Sequence, residues 1–204
     1  CYMKQLLEGL HFVHKMSILH RDIKASNLLI SDQGVLKLAD FGLARPLTAL
    51  NRTSLSNRVV TLWYRAPELL LGATEYGPAV DMWSVGCIMG ELVLKKPLFP
   101  GNVEAEQLEL ICRYCGTPNE EVWPGVSRLP LFSSLRAAPV RERSLRTTYR
   151  SFPKHALDLV DQLLTLDPAK RLTASQALDS EWFWTPPLPA DPRSLPQYNS
   201  AHEW

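Results

Sequence analysis

Two polar clusters bracket a pair of short apolar runs, and this constrains the chain more than any other feature. The stretch His20-Arg21-Asp22-Ile23-Lys24-Ala25-Ser26-Asn27 comes just before Leu28-Leu29-Ile30. The turn Ser31-Asp32-Gln33-Gly34 then leads into Val35-Leu36-Lys37-Leu38, and Asp40-Phe41-Gly42 follows almost at once. Short apolar runs on either side of a Gly-containing turn predict a β-hairpin. A hairpin brings its outer ends together, so Asp22, Asn27 and Asp40 are expected at one end of a rigid element. Carboxylate, amide and carboxylate are hard oxygen ligands suited to Mg²⁺. Phosphoryl transfer asks a protein mainly for positioning and charge neutralisation, and parts suited to both are present. Asp22 would accept the proton of an attacking hydroxyl, Lys24 would offset charge on a γ-phosphate, and Asn27 and Asp40 would hold metal. Taken singly each piece is weak: a lone Asp-Phe-Gly is usually a turn, and a lone His-Arg-Asp a solvated patch.

Elsewhere the hydrophobic period is helical. Met3, Leu6, Leu7, Leu10 and Val13 recur at helical spacing and predict an amphipathic helix over residues 1–15. From Asp81 to Leu94 the apolar residues run nearly all round, as in a helix buried on every side. Residues 102–115 read as an amphipathic helix with Asn102 as its N-cap. Residues 156–166 and 173–178 predict two more helices, the second opened by a capping box between Thr173 and Gln176. Residues 43–62 are polar and without period, and read as a mobile loop. Beyond Trp184, prolines at 186, 187, 189, 192 and 196 predict an extended surface tail. With 46% hydrophobic residues, 204 residues can bury one sizeable core. The expectation is a mainly α single domain with one small β-hairpin over residues 1–184, then a Pro-rich extended tail over residues 185–204.

A net charge of +1 gives no global pull toward nucleic acid or an anionic membrane. Arg136, Arg141, Arg143, Arg146 and Arg150 cluster, but Glu142 sits among them and no aromatic platform is interleaved, so they read as a solvated face. No direct nucleic-acid or membrane contact is expected. The longest apolar stretch, residues 80–94, is too short to span a bilayer and carries Asp81 and Glu91. Cys1, Cys87, Cys112 and Cys115 are too few and too irregular for a disulfide framework, which points to a reducing compartment. Cys112 and Cys115 have metal-ligand spacing, but no second pair completes a zinc site. The chain opens on Cys1 directly in a helical pattern, and the expectation is a sequence that continues upstream.

In order along the chain, His-Arg-Asp with Asn five residues after the Asp, then Asp-Phe-Gly, then Ala66-Pro67-Glu68, resemble the protein-kinase signature set. Residues 17–30 look like a kinase catalytic loop and residues 40–68 like an activation segment. Asp81-Met82-Trp83-Ser84-Val85-Gly86 resembles the start of that family's F helix. The resemblance runs from residue 1 into the tail and implies the C-terminal lobe of the kinase fold, with ATP and Mg²⁺ as cofactors. By it, Asp22, Lys24 and Thr61 would be catalytic, with Thr61 bridging Asp22 and Lys24, and Asn27 and Asp40 would bind metal. Lys24, Asn27, Leu29 and Asp40 would meet the nucleotide, with Leu29 flooring the adenine site. Asp81 would anchor the catalytic-loop backbone and Glu68 would pair with Arg171, so all three are read as structural. Val59-Val60-Thr61-Leu62-Trp63-Tyr64-Arg65 resembles the cyclin-dependent kinases, which implies that Val59 and Val60 shape a pocket for proline after the phosphorylated residue. Cys115-Gly116-Thr117-Pro118 is similar to the insert of these kinases. Residues 183–203 look like the end of the transcription-elongation members, including the plant C-type. The implied partner is a cyclin of the T or K kind, the implied substrate the Ser-Pro-rich C-terminal domain of RNA polymerase II, and the implied site of action the nucleus.

The sequence also departs from that pattern. It contains no Gly-rich loop and no strand lysine paired with a helix glutamate, which in the signature set lie upstream of the catalytic loop. These 204 residues alone are therefore expected to lack useful kinase activity. Where relatives carry a phosphorylated Thr before Asn-Arg-Val-Val, this chain has Ser56, with Arg21 and Arg45 as the implied phosphate partners. Thr53 and Ser54 are alternatives for that role. A non-catalytic binding module is the competing reading of the whole chain, but no substitution at Asp22, Lys24, Asn27 or Asp40 favours it.

Overall fold

The computed structural model describes residues 1–47, 56–57, 59–137 and 139–196. Helix α1, Tyr2–Lys15, buries Met3, Leu6, Leu7 and Leu10. This is the stripe that the helical period places on one face. Strand β1, Ile18–Leu19, follows, then β2, Leu28–Ile30, and β3, Leu36–Leu38. The hairpin β2–β3 is antiparallel, with Leu29 opposite Lys37. Helix α1 holds this hairpin through one side chain: Gln5 Nε2 donates to the Gly34 carbonyl at 3.1 Å, and Gln5 Oε1 accepts from Leu36 N at 2.7 Å. Strand β4, Arg45–Pro46, returns antiparallel to β1. A second strand pair was not foreseen, because two residues are too few to show an alternation and Pro46 reads as a breaker.

Short helix α2, Pro67–Leu70, leads to α3, Ala79–Leu94, which is buried from Val80 through Gly90. Gly86 lets α3 approach α6, Lys154–Leu163, since a Cβ there would stand 2.9 Å from Leu164 Cδ2 and 3.0 Å from Leu163 Cβ. Trp83 stacks on Phe99 at 6.1 Å, and the aromatic contacts continue through Tyr114, Tyr149 and Phe152. Helix α4 is Glu104–Cys115, with Val103 as its N-cap. Asn102 is thus not the cap: its N–H and its side-chain amide both go to Glu106 Oε2, at 2.8 and 2.9 Å. The first turn of α4 carries Glu104 and Glu106, which favour a helix N-terminus by charge. Helix α5, Leu145–Thr148, precedes α6, and α7, Ala174–Leu178, opens with the Thr173–Gln176 capping box.

The mainly helical architecture with small strands is what the sequence pattern predicts. Cys112 and Cys115 lie buried on α4, and burial pushes their thiols up to about 11 and about 12. Thiols held protonated are poor metal ligands. Among the described residues no group of three His, Cys, Asp or Glu could hold a metal ion, and no helix is long and apolar enough to cross a membrane. Arg143 and Arg146 are bound to Asp158 and Asp161, so that part of the arginine cluster is an ion-paired face. The tail passes α1, where Lys4 Nζ stands 4.8 Å over the Trp184 ring, and reaches the hairpin turn at Pro192.

Candidate active site

Asp81, at the start of α3, organises the loop that precedes the hairpin. Its carboxylate is almost fully buried, and it accepts from His20 N at 3.0 Å and from Arg21 N at 2.8 Å. His14 Nε2 also lies 2.8 Å from Asp81 Oδ2. His20 is held on its far side as well, with Nε2 3.0 Å from the Ala39 carbonyl and its ring 4.7 Å edge-on from Phe41. One buried carboxylate thereby ties α1, α3 and the loop together, and the imidazole ties the loop to the Asp40-Phe41-Gly42 corner.

Three non-glycine residues in this region adopt left-handed backbone: Arg21 at φ 66°, Asp40 at φ 60° and Val60 at φ 66°. Such conformations cost on the order of 1–3 kcal/mol each and persist only where surroundings over-determine them. Arg21 is fixed by Asp81 at its N–H and by the Leu43 carbonyl, which accepts from Nε at 2.7 Å. Asp40 accepts from Gly42 N at 3.2 Å through its own side chain. Around Val60, Arg65 Nε and Nη2 donate to the Val60 carbonyl at 3.2 and 3.0 Å, and Nε also meets the Val59 carbonyl at 2.9 Å. Glu104 holds that guanidinium from the other side, at 2.6 Å from Nη1.

Asp22 is the centre of the arrangement. Lys24 Nζ lies 2.7 Å from Asp22 Oδ2. Asn27 Nδ2 donates to the Asp22 carbonyl at 2.8 Å and to Oδ2 at 3.1 Å, while Thr61 donates to Oδ1 from N at 3.4 Å and from Oγ1 at 3.3 Å. Burial pushes this carboxyl up, but Lys24, Asn27 and the Thr61 N–H together outweigh it and hold the group below the ordinary carboxylate value. Thr61 does not bridge Asp22 and Lys24: it meets only the Asp22 side, because the ammonium is drawn to Oδ2 and the threonine to Oδ1. Asn27's amide nitrogen faces Asp22, so its oxygen is the end that a cation would meet. Its backbone carbonyl accepts from Ala39 N at 2.9 Å, which couples it to the exposed Asp40. These hard oxygens fit Mg²⁺ by donor chemistry.

Leu29 is 54% exposed on β2. Val59 and Val60 bury their side chains, and Arg65 takes their carbonyls. Arg45 is exposed and its Nη1 donates to its neighbour Ala44 at 3.1 Å. At Ser56 the backbone carbonyl accepts from the Tyr76 hydroxyl at 2.6 Å. Thr53 and Ser54 lie outside the described residues. Glu68 and Arg171 form a buried bidentate pair. The sequence reading missed His14, Arg65 and Tyr76, since each is a lone polar residue whose partner is far along the chain or on the backbone.

The family described as Protein kinase domain matches residues 1–183. The chain is 58% identical over its full length to Cyclin-dependent kinase C-1 of Arabidopsis thaliana, and it spans 40% of that relative. It is 51% identical to Cyclin-dependent kinase 12 of Drosophila melanogaster, with 98% of this chain and 18% of that one covered. Among solved structures, the yeast RNA Pol II CTD kinase CTDK-1 complex superposes with a TM-score of 0.88 at 42% identity, covering 93% of this chain and 63% of that one. The CAK complex of Chaetomium thermophilum bound to ATP-gamma-S gives 0.90 at 43% identity, covering 97% and 62%. With most of its length matched and the buried framework of Asp81, Glu68 and Arg171 formed, the chain belongs to the protein kinase domain family.

Proposed function

We propose that the complete protein transfers the γ-phosphoryl group of ATP to serine or threonine followed by proline, as a cyclin-dependent kinase acting on the C-terminal domain of RNA polymerase II. The observation that carries this reading is the Asp22 carboxylate, held below its ordinary pKa and bound by Lys24, Asn27 and Thr61. In the proposed mechanism Asp22 accepts the hydrogen bond, and then the proton, of the substrate hydroxyl. Lys24 offsets the charge that gathers on the transferred group, and Thr61 fixes the Asp22 rotamer. Asn27 and Asp40 would hold Mg²⁺, which when bound neutralises phosphate charge.

Proline direction has a physical basis in Arg65. With the Val60 carbonyl already taken by Arg65, a substrate N–H in the next position would find no acceptor there. Proline has no N–H to leave unsatisfied. The RNA polymerase II substrate and a cyclin partner draw support from the similarity to Cyclin-dependent kinase C-1 and to the yeast CTD kinase complex. The T or K type of the cyclin and the nuclear location are inferred from the sequence resemblance alone. Phosphoryl transfer would further need residues outside these 204, because a lid over the phosphates is not among the motifs they carry.

The test is phosphate incorporation by the complete protein, purified with its bound partner, into polymerase-repeat peptides. Ser-Pro peptides should be labelled at least about tenfold faster than their Ser-Ala counterparts. Equal labelling, or none with intact protein, contradicts the reading.

A further inference from the structure

Tyr76 belongs to no motif in the chain, yet its hydroxyl joins two parts of the site. It accepts from Arg21 Nη1 at 2.9 Å and donates to the Ser56 carbonyl at 2.6 Å, so a donor and an acceptor of one phenol are both in use. The ring is buried in the core beside the start of α3, which fixes where that hydroxyl can be. Arg21 is itself buried, and the guanidinium contacts are neutral ones: the Leu43 carbonyl and this phenol. Among the described residues no carboxylate lies within ion-pair distance of the Arg21 side chain. A buried, oriented cation with neutral partners retains most of its attraction for an anion.

We propose that Tyr76 is a positioning residue for activation: its hydroxyl registers the backbone at Ser56 over Arg21, so that a phosphate added to Ser56 arrives beside a guanidinium already oriented. The proposal rests on the kinase reading above and on Ser56 as the modified residue. Burial raises the Tyr76 phenol, so it stays protonated and keeps its donor role throughout the neutral range. Holding the loop backbone in place before modification lowers the ordering that phosphorylation must otherwise bring about.

The experiment compares parent, Tyr76→Phe, Ser56→Ala and the double variant in the complete protein with its bound partner. Each Ser56-containing form is prepared with and without phosphate. Phenylalanine keeps the ring and removes both hydrogen bonds. Two quantities are read: kcat/KM on a Ser-Pro peptide, and backbone amide exchange over residues 56–60. Tyr76→Phe should reduce the gain from Ser56 phosphorylation about tenfold, with the KM for ATP held. It should speed amide exchange over residues 56–60 before phosphorylation, and it should add nothing in the Ser56→Ala background. An undiminished gain, unchanged exchange, or an equal loss in the Ser56→Ala background overturns the proposal. If phosphorylating Ser56 does nothing to an otherwise active parent, the Ser56 assignment and this role of Tyr76 fall together. If the parent transfers no phosphate at all, the kinase reading fails by itself, and the exchange comparison still decides whether Tyr76 registers the loop.

Discussion

Arg171 and Glu68, 103 residues apart, meet in a bidentate pair with Nη1–Oε1 at 2.7 Å and Nη2–Oε2 at 3.0 Å. Both side chains are buried, and Arg171 also donates to the carbonyls of Thr165, Leu166 and Ala79. The pair therefore pins α2 at the end of the activation segment to the turn before α7. Removing one partner strands the other charge in the core. Glu68→Ala should lower unfolding free energy by about 3–5 kcal/mol, read from urea denaturation. A loss below about 1 kcal/mol would show that the carbonyls alone satisfy Arg171.

Asp81 makes a separate prediction about geometry. Its carboxylate accepts from two consecutive backbone N–H groups, and one belongs to a residue in strained left-handed backbone. Asp81→Ala leaves both donors buried and unpaired, at about 1–3 kcal/mol each. Amide exchange at His20 and Arg21 should accelerate first, and kcat should fall without a matching rise in KM for peptide. Exchange at these two amides no faster than in the parent would mean that Asp81 does not hold the loop.

Specificity should depend on Arg65. Arg65→Ala frees the Val59 and Val60 carbonyls and also breaks the 2.6 Å contact to Glu104. The preference for Ser-Pro over Ser-Ala peptides should then shrink about tenfold, mainly because non-proline peptides improve. Arg65→Lys should not restore it, since one ammonium cannot reproduce the guanidinium fork. An unchanged preference in Arg65→Ala removes the carbonyl argument.

The lowered Asp22 pKa sets a pH dependence with a definite sign. A carboxyl depressed in the folded state adds stability that is present above its unfolded value and disappears as pH falls through the lower folded value. The stability difference between parent and Asp22→Asn should thus be flat at neutral and mildly acid pH, then change only in strong acid. Activity should likewise show no acid limb from Asp22 near neutrality. A difference that instead titrates near pH 6 would contradict the lowered value.

How much of this was legible in the sequence follows from the kind of interaction involved. The hairpin could be read because Leu28–Ile30 and Leu36–Leu38 flank a Gly-containing turn, and α1 because Met3, Leu6, Leu7 and Leu10 share one face. The convergence of Asp22 and Asn27 followed from their place beside that hairpin. Asp81 and Arg171 were identified only through resemblance, since a residue whose partners lie 60 or 103 positions away leaves no local pattern. That Lys24 meets Oδ2 of Asp22 while Thr61 meets Oδ1 is not written in the local sequence, because the sharing of one carboxylate is a matter of three-dimensional geometry. Tyr76 and Arg65 were invisible for a related reason: their acceptors include backbone carbonyls, which every residue offers alike.

The central claim is that Asp22 serves phosphoryl transfer, and the most direct measurement is a single-turnover assay on the complete protein with its bound partner. Parent and Asp22→Asn are mixed with Mg²⁺-ATP and a Ser-Pro peptide, and nucleotide affinity is measured alongside. Asparagine keeps the size and can still accept from Thr61, but it cannot take the hydroxyl proton. The account predicts a transfer rate lower by about 10²–10⁴-fold with ATP affinity retained. A variant that transfers phosphate at the parent rate would contradict it.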